Sequence, residues 1–184
     1  MDTNWYVIAG PPSSGKTTLV SYLAKMGYPT IPEAARAVID RELANGKTLR
    51  EIRSNVLEFQ HKILAERKIL EAKVSADSIT FLDSGTPCAA AYCKLAEIDS
   101  GFIFQSVYCR YKGIFLLDSL PFFENDYARM EDANTSARIG NLLYGVYSEL
   151  GYPIIRVPVN PVAARAEFIL NEVWHNTPKN SKQW

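Results

Sequence analysis

The chain has 184 residues, 47% of them hydrophobic, which is enough apolar material for one domain with a sizeable core. Twenty basic side chains balance twenty acidic ones, and the zero formal charge argues against a broad nucleic-acid surface. No apolar run reaches membrane-spanning length and no charged-then-apolar leader opens the chain, so a cytoplasmic protein without a membrane span is expected.

Trp5-Tyr6-Val7-Ile8-Ala9 reads as a short buried strand. It runs into Gly10-Pro11-Pro12-Ser13-Ser14-Gly15-Lys16-Thr17, which fits G-x-x-x-x-G-K-[ST] at every fixed position. Residues 18–26 follow as a helix with Leu19, Val20 and Leu23 on its apolar side. Strand, glycine loop and helix let backbone N–H groups wrap a phosphate chain at a positive helix end. On this Walker A pattern Gly10, Ser13, Ser14, Gly15, Lys16, Thr17 and Thr18 form the cradle for a nucleoside triphosphate. Lys16 reaches the β- and γ-phosphates and the Thr17 hydroxyl holds Mg²⁺.

Tyr28-Pro29-Thr30-Ile31 is the second expected strand, and Pro32-Glu33 opens a helix that ends at Asn45-Gly46. Thr48-Leu49-Arg50-Glu51 is a capping box, predicting one long helix with Ile52, Val56, Phe59, Ile63, Leu70 and Val74 on its apolar stripe. A third strand ends on Asp83, followed by Ser84-Gly85 and a helix from Pro87 to about Ala96. Residues 101–110 read as a further short helix, and residues 112–118 as the fourth strand, ending on Asp118. Residues 121–133 show no period and read as a loop, part of an expected lid near 119–138. A helix from about Thr135, a fifth strand over 152–158, and a last helix to about Trp174 complete the domain, leaving a polar tail at 175–184. Cys88, Cys93 and Cys109 lack metal-ligand spacing and read as reduced, buried thiols. The alternation of apolar strands with helices predicts an α/β fold, a five-stranded parallel sheet with helices on both faces.

In such sheets ligands sit beyond the carboxyl ends of the strands, which gathers residues 10–17, Glu33, Asp83 and Asp118 on one rim. Asp83 and Asp118 compete as the acid that completes the Mg²⁺ site, and the tight Ser84-Gly85 turn favours Asp83. Glu33 is either a first-turn acid gaining from the helix dipole or a general base facing the γ-phosphate. Arg36, one turn on, is either its exposed partner or a clamp for an anionic substrate group. Arg129 and Arg138 would bring positive charge onto the transferring phosphoryl group from the lid.

Several of these segments together resemble the NadR/Ttd-like AAA domain family, which groups nicotinamide-riboside kinase domains with TRPL-translocation-defect proteins. The marks are the loop from Gly10 to Thr18, Ile31-Pro-Glu-Ala-Ala-Arg36, Phe59-Gln60, Phe81-Leu-Asp-Ser-Gly-Thr-Pro87, the run from Tyr111 to Leu117, and Arg156-Val-Pro158. The resemblance implies a nucleoside-kinase-like P-loop fold that binds ATP or GTP. It implies Lys16 and Thr17 on phosphate and metal, Glu33 and Arg36 on the second substrate, and Asp83 on the metal. Two positions depart from it: Ser84 stands where the family commonly has arginine, and the lid carries Asp126-Tyr127-Ala128-Arg129 without the usual glycine. The leading expectation is a kinase for a small nucleoside- or riboside-type acceptor, and the alternative is a nucleotide-dependent switch with slow hydrolysis.

Overall fold

The computed structural model describes residues 1–120 and 132–176. Five strands, β1 (Trp5–Ala9), β2 (Thr30–Ile31), β3 (Thr80–Asp83), β4 (Gly113–Leu117) and β5 (Ile154–Val157), form one sheet in the order β2-β3-β1-β4-β5. Every pairing is parallel, with Ile8 beside both Asp83 and Phe115. The helices are α1 (Lys16–Lys25), α2 (Ala34–Ala44), α3 (Leu49–Ser54), α4 (Val56–Glu71), α5 (Cys88–Leu95), α6 (Gly101–Gln105), α7 (Ala133–Glu149) and α8 (Val162–Asn176).

Alternation along the strands explains why β1, β3 and β4 are buried throughout. Tyr6, Ile8, Phe81, Phe115 and Leu117 point to one face, where they pack with Leu19 and Leu23 of α1 and Ala166 and Ile169 of α8. Val7, Ala9, Leu82, Ile114 and Leu116 point to the other, against α5, α6 and α7. A third cluster joins Val38 and Ile39 of α2, Ile52 of α3 and Phe59 and Ile63 of α4. It stands off the sheet and walls the space in front of the P-loop.

The single long helix expected after Thr48 is two helices. The capping box forms, with Glu51 N–H donating to Thr48 Oγ1 at 3.3 Å, but it caps only the six residues of α3. Asn55 then takes an extended conformation, and its side chain accepts from Glu58 N–H at 3.0 Å to start α4. A side-chain amide that satisfies backbone donors competes with continuation of the helix. The break turns α3 so that Ile52 and Phe59 meet in the third cluster.

Smaller differences concern ends. The helix expected over 101–110 stops at Gln105. Helix α7 starts at Ala133, because the Asp132 side chain accepts from Thr135 N–H at 2.7 Å. His175, expected to begin the tail, belongs to α8, while residues 177–184 lie outside the described residues. Residues 121–131, and with them Arg129 and most of the expected lid, also lie outside them. Among the described residues no helix is long and apolar enough to cross a membrane. The three cysteines are free and buried.

Candidate active site

All strands run the same way, so their carboxyl ends share one edge, and the loop leaving β1 lies between the exits of β3 and β4. In that loop Ser13 and Gly15 are left-handed, with φ of 60° and 83°. A Cβ on Gly10 would stand 2.7 Å from Ser14 Oγ and 3.1 Å from the Leu117 carbonyl, so only glycine lets the loop close. Gly15 occupies the N-cap of α1 and offers no side-chain cap, leaving the first amides of the helix for a ligand.

Three carbonyls of the loop are tied by side chains. Lys16 Nζ donates to Pro11 O at 2.9 Å. Ser136 Oγ, from α7, donates to Pro12 O at 3.0 Å. Arg165 Nη1, from α8, donates to Ser14 O at 2.9 Å. In a trans peptide N–H and C=O point opposite ways, so a carbonyl held by α7 or α8 turns the next amide away from that helix. Arg165 is buried, and its Nε and Nη2 have no partner; burial lowers its pKa.

The acid that meets this loop is Asp83. Thr17 Oγ1 donates to its Oδ2 at 2.7 Å, and the carboxylate is fully buried with Oδ1 unpartnered. Burial and the negative charge of Glu33 push its pKa up to about 6, against the opposing pull of Lys16, Thr17 and Arg67. Asp118 goes elsewhere: half-buried at the exit of β4, it accepts from Arg156 Nη1 at 3.3 Å. Thr17 and Asp83 are hard oxygen donors, and an orphaned carboxylate oxygen beside a hydroxyl fits Mg²⁺. Among the described residues no cluster of three or more His, Cys, Asp or Glu would hold a metal by itself. The chemistry of this pair therefore suits an ion that takes its other ligands from water and phosphate.

Beside Lys16 opens a cavity of about 410 Å³. Glu33, Arg67, Ser84 and Gly85 line it together with Gly10 and Lys16, and Val56, Phe59, Ile63, Tyr92, Leu95 and Leu143 give it apolar walls. Arg53 and Gln60 add polar groups. Glu33 is the N-cap residue of α2 yet its side chain makes no capping bond, so the carboxylate is not engaged in ending its own helix. Arg36 is half-buried on α2 and is not among the lining residues; Arg138 is exposed on α7. Thr18 is exposed on the first turn of α1.

The structure thus gathers Gly10, Lys16, Thr17, Glu33 and Asp83, and sets Arg36 and Arg138 apart from the cavity. It adds Arg53, Arg67, Ser136 and Arg165, which the sequence reading did not single out. Arg67 carried a readable signal. It falls on the four-residue spacing Phe59, Ile63, Arg67, a charge on an apolar stripe. Arg165 likewise precedes the buried run Ala166, Ile169 and Val173.

The AAA_28 family model, described as an AAA domain, matches residues 5–165. No curated protein matches the chain. Among solved structures, a NadR protein in complex with NR superposes with a TM-score of 0.74 at 18% identity, covering 99% of this chain and 53% of the NadR chain. The same comparison with NadR in complex with NAD and AMP-PNP gives 0.71, 18%, 99% and 51%. Thymidylate kinase from Ehrlichia chaffeensis superposes at 0.66 with 14% identity, over 95% of this chain and 100% of its own. Deoxyadenosine kinase from M. mycoides, with dCMP and dCDP bound, gives 0.62 and 14%, over 93% and 99%. The chain spans about half the length of the NadR chains it matches, with 51% and 53% covered. At these identities the likeness is one of fold: a P-loop, nucleoside-kinase-like, all-parallel sheet.

Proposed function

The chain belongs to the AAA_28 family of AAA domains, and from that premise we propose that it is a small-molecule kinase. It binds ATP or GTP with Mg²⁺ in the loop over residues 10–17 and transfers the γ-phosphoryl group to a nucleoside- or riboside-type hydroxyl. The observation that carries this reading is the cavity of about 410 Å³ that runs from Lys16 and Glu33 back between α4 and α5. A switch that hydrolyses its nucleotide needs room for one water beside the γ-phosphate. A polar mouth with apolar and aromatic walls, inside the range of roughly 300–1,000 Å³ usual for small-ligand sites, suits a flat organic acceptor. The likeness to kinases of thymidylate and deoxyadenosine, and to a NadR chain holding NR, supports the same class.

In the proposed reaction the acceptor hydroxyl sits against Glu33. Its oxygen forms a bond to the γ-phosphorus as Glu33 takes the proton, and the bond from that phosphorus to the bridging oxygen breaks, its electron pair leaving with the nucleoside diphosphate. Lys16 exchanges the Pro11 carbonyl for phosphate oxygens. Thr17 and Asp83 would hold Mg²⁺, whose contribution is to neutralise charge on the β- and γ-phosphates. The apolar walls exclude the water that would otherwise compete as acceptor.

The test is calorimetric binding of ATP and GTP, then diphosphate release against a panel of nucleosides, ribosides and nucleoside monophosphates. Release that depends on one of these acceptors is the expected result. Equal turnover with and without every acceptor would replace the kinase by a nucleotide-hydrolysing switch.

A further inference from the structure

We propose that Arg67 is the cation that binds the transferring phosphoryl group from the acceptor side of the site, an assignment that rests on the kinase reading above.

Arg67 lies on α4 with only 3% of its surface exposed. Its Nη1 donates to the Ser84 carbonyl at 2.6 Å, and that neutral bond uses one of the five donors of a guanidinium. A buried cation is costly without a counter-charge. The nearest acid along the helix, Glu71, is engaged elsewhere: it accepts from Tyr108 at 2.7 Å and from Tyr111 at 3.0 Å. Among the described residues Arg67 forms no ion pair. Burial works against its charge, yet the hydrogen-bonded Tyr111–Glu71 group nearby, whose negative charge sits on the Glu71 carboxylate, holds the guanidinium above its ordinary pKa. The fold thus keeps a charged arginine in its interior with the Glu71 carboxylate in its field but, among the described residues, no carboxylate in direct contact.

Position says what the charge faces. Ser84, left-handed at φ 71°, donates its N–H to Ile8 O at 3.1 Å, so the turn lies over the end of β1, where the P-loop starts. Arg67 reaches that turn and lines the same cavity as Gly10, Lys16 and Glu33. Arg165 is different, because its unpartnered Nε and Nη2 are fully enclosed. During transfer, charge spreads over three equatorial phosphoryl oxygens, and a planar fork matches two of them better than a point charge does. Lys16 comes from the P-loop and Arg67 from α4, so two cations would meet the phosphoryl group from different elements. Bond making and breaking are those written above, and Arg67 exchanges no proton. If its work were only to hold the turn, a neutral amide donating to Ser84 O would serve equally well.

Arg67→Gln tests this, since it keeps a donor near Ser84 O and removes the charge. Nucleotide affinity should stay within about threefold of the parent, while kcat for the best acceptor falls about 100-fold, the usual cost of losing a donor to developing negative charge. Arg67→Lys should recover part of the loss and remain about tenfold slow, because the fork is gone. A glutamine variant that transfers at the parental rate overturns the assignment, and so does one that loses nucleotide affinity and kcat in equal measure. Should it fail to fold, the lysine variant decides, and parental kcat there overturns the assignment. A parent chain without acceptor-dependent transfer overturns the kinase reading and this one with it. A parent that transfers beside an equally active Arg67→Gln overturns this one alone.

Discussion

The two ends of the candidate site are built from different materials. The phosphate end is backbone: eight consecutive residues from Gly10 to Thr17, with Pro11, Pro12 and Ser14 carbonyls tied by Lys16, Ser136 and Arg165. The acceptor end is side chains, brought from α2, α3, α4, α5 and α7 to line one cavity. Backbone amides bind any polyphosphate alike, whereas a cavity wall is specific to what it touches. Damage to one end should therefore appear as a nucleotide defect and damage to the other as an acceptor defect.

The largest expected effect falls where the ends meet. Glu33→Gln should lower the transfer rate by about 10²–10⁴-fold, the range for loss of a general base, and leave nucleotide affinity unchanged. Diphosphate release with and without acceptor measures it, and a parental rate would remove Glu33 from the chemistry. Phe59→Ala breaks the acceptor wall. It should cost about 3 kcal/mol of stability, as large-to-small changes at packed aromatics do, and raise the acceptor KM while the nucleotide KM stays put. A rise in the nucleotide KM instead would mean the two ends are not separable.

Gly10→Ala attacks the other end. The added Cβ would press on Ser14 Oγ and the Leu117 carbonyl, and a strained methyl of this kind costs about 1–3 kcal/mol. Weaker ATP binding with unchanged acceptor KM is the expected outcome, read by calorimetry and steady-state rates. The smallest effect is a pH dependence. Asp83 titrates near 6 in the folded chain against an ordinary value of 3.8, so the folded state holds that proton more tightly. The stability it confers is complete below 3.8 and is lost as pH rises through 6. The nucleotide-free chain should thus gain Tm from this group between pH 7 and 5, and Asp83→Asn should remove the gain. Parallel Tm profiles for parent and variant would show that Asp83 is already neutral or already compensated.

The same division explains what was legible. The loop over residues 10–17 is local, and its fixed glycines, lysine and threonine are readable as a P-loop by spacing alone. Strand and helix order followed from apolar runs, and so did the shared rim of Glu33, Asp83 and Asp118. The break in the helix expected after Thr48 was not legible, because the position of Asn55 inside a helical period masks a side chain that caps a second helix. The spacing leaves Arg36 open between a partner for Glu33 and an anion clamp, and it could not show that the arginines lining the cavity among the described residues come from α3 and α4.

The amino-acid order by itself determined the P-loop, the parallel α/β sheet and the strand edge that the loop shares with Glu33 and Asp83, because each is written in contacts between near neighbours or in the period of one element. Only tertiary structure decided that Asp83 meets Thr17 while Asp118 turns to Arg156, and that Arg67 lines the same cavity as Lys16. Those pairings join residues far apart in the chain, and no local pattern encodes the distance at which two helices and a strand exit will pack.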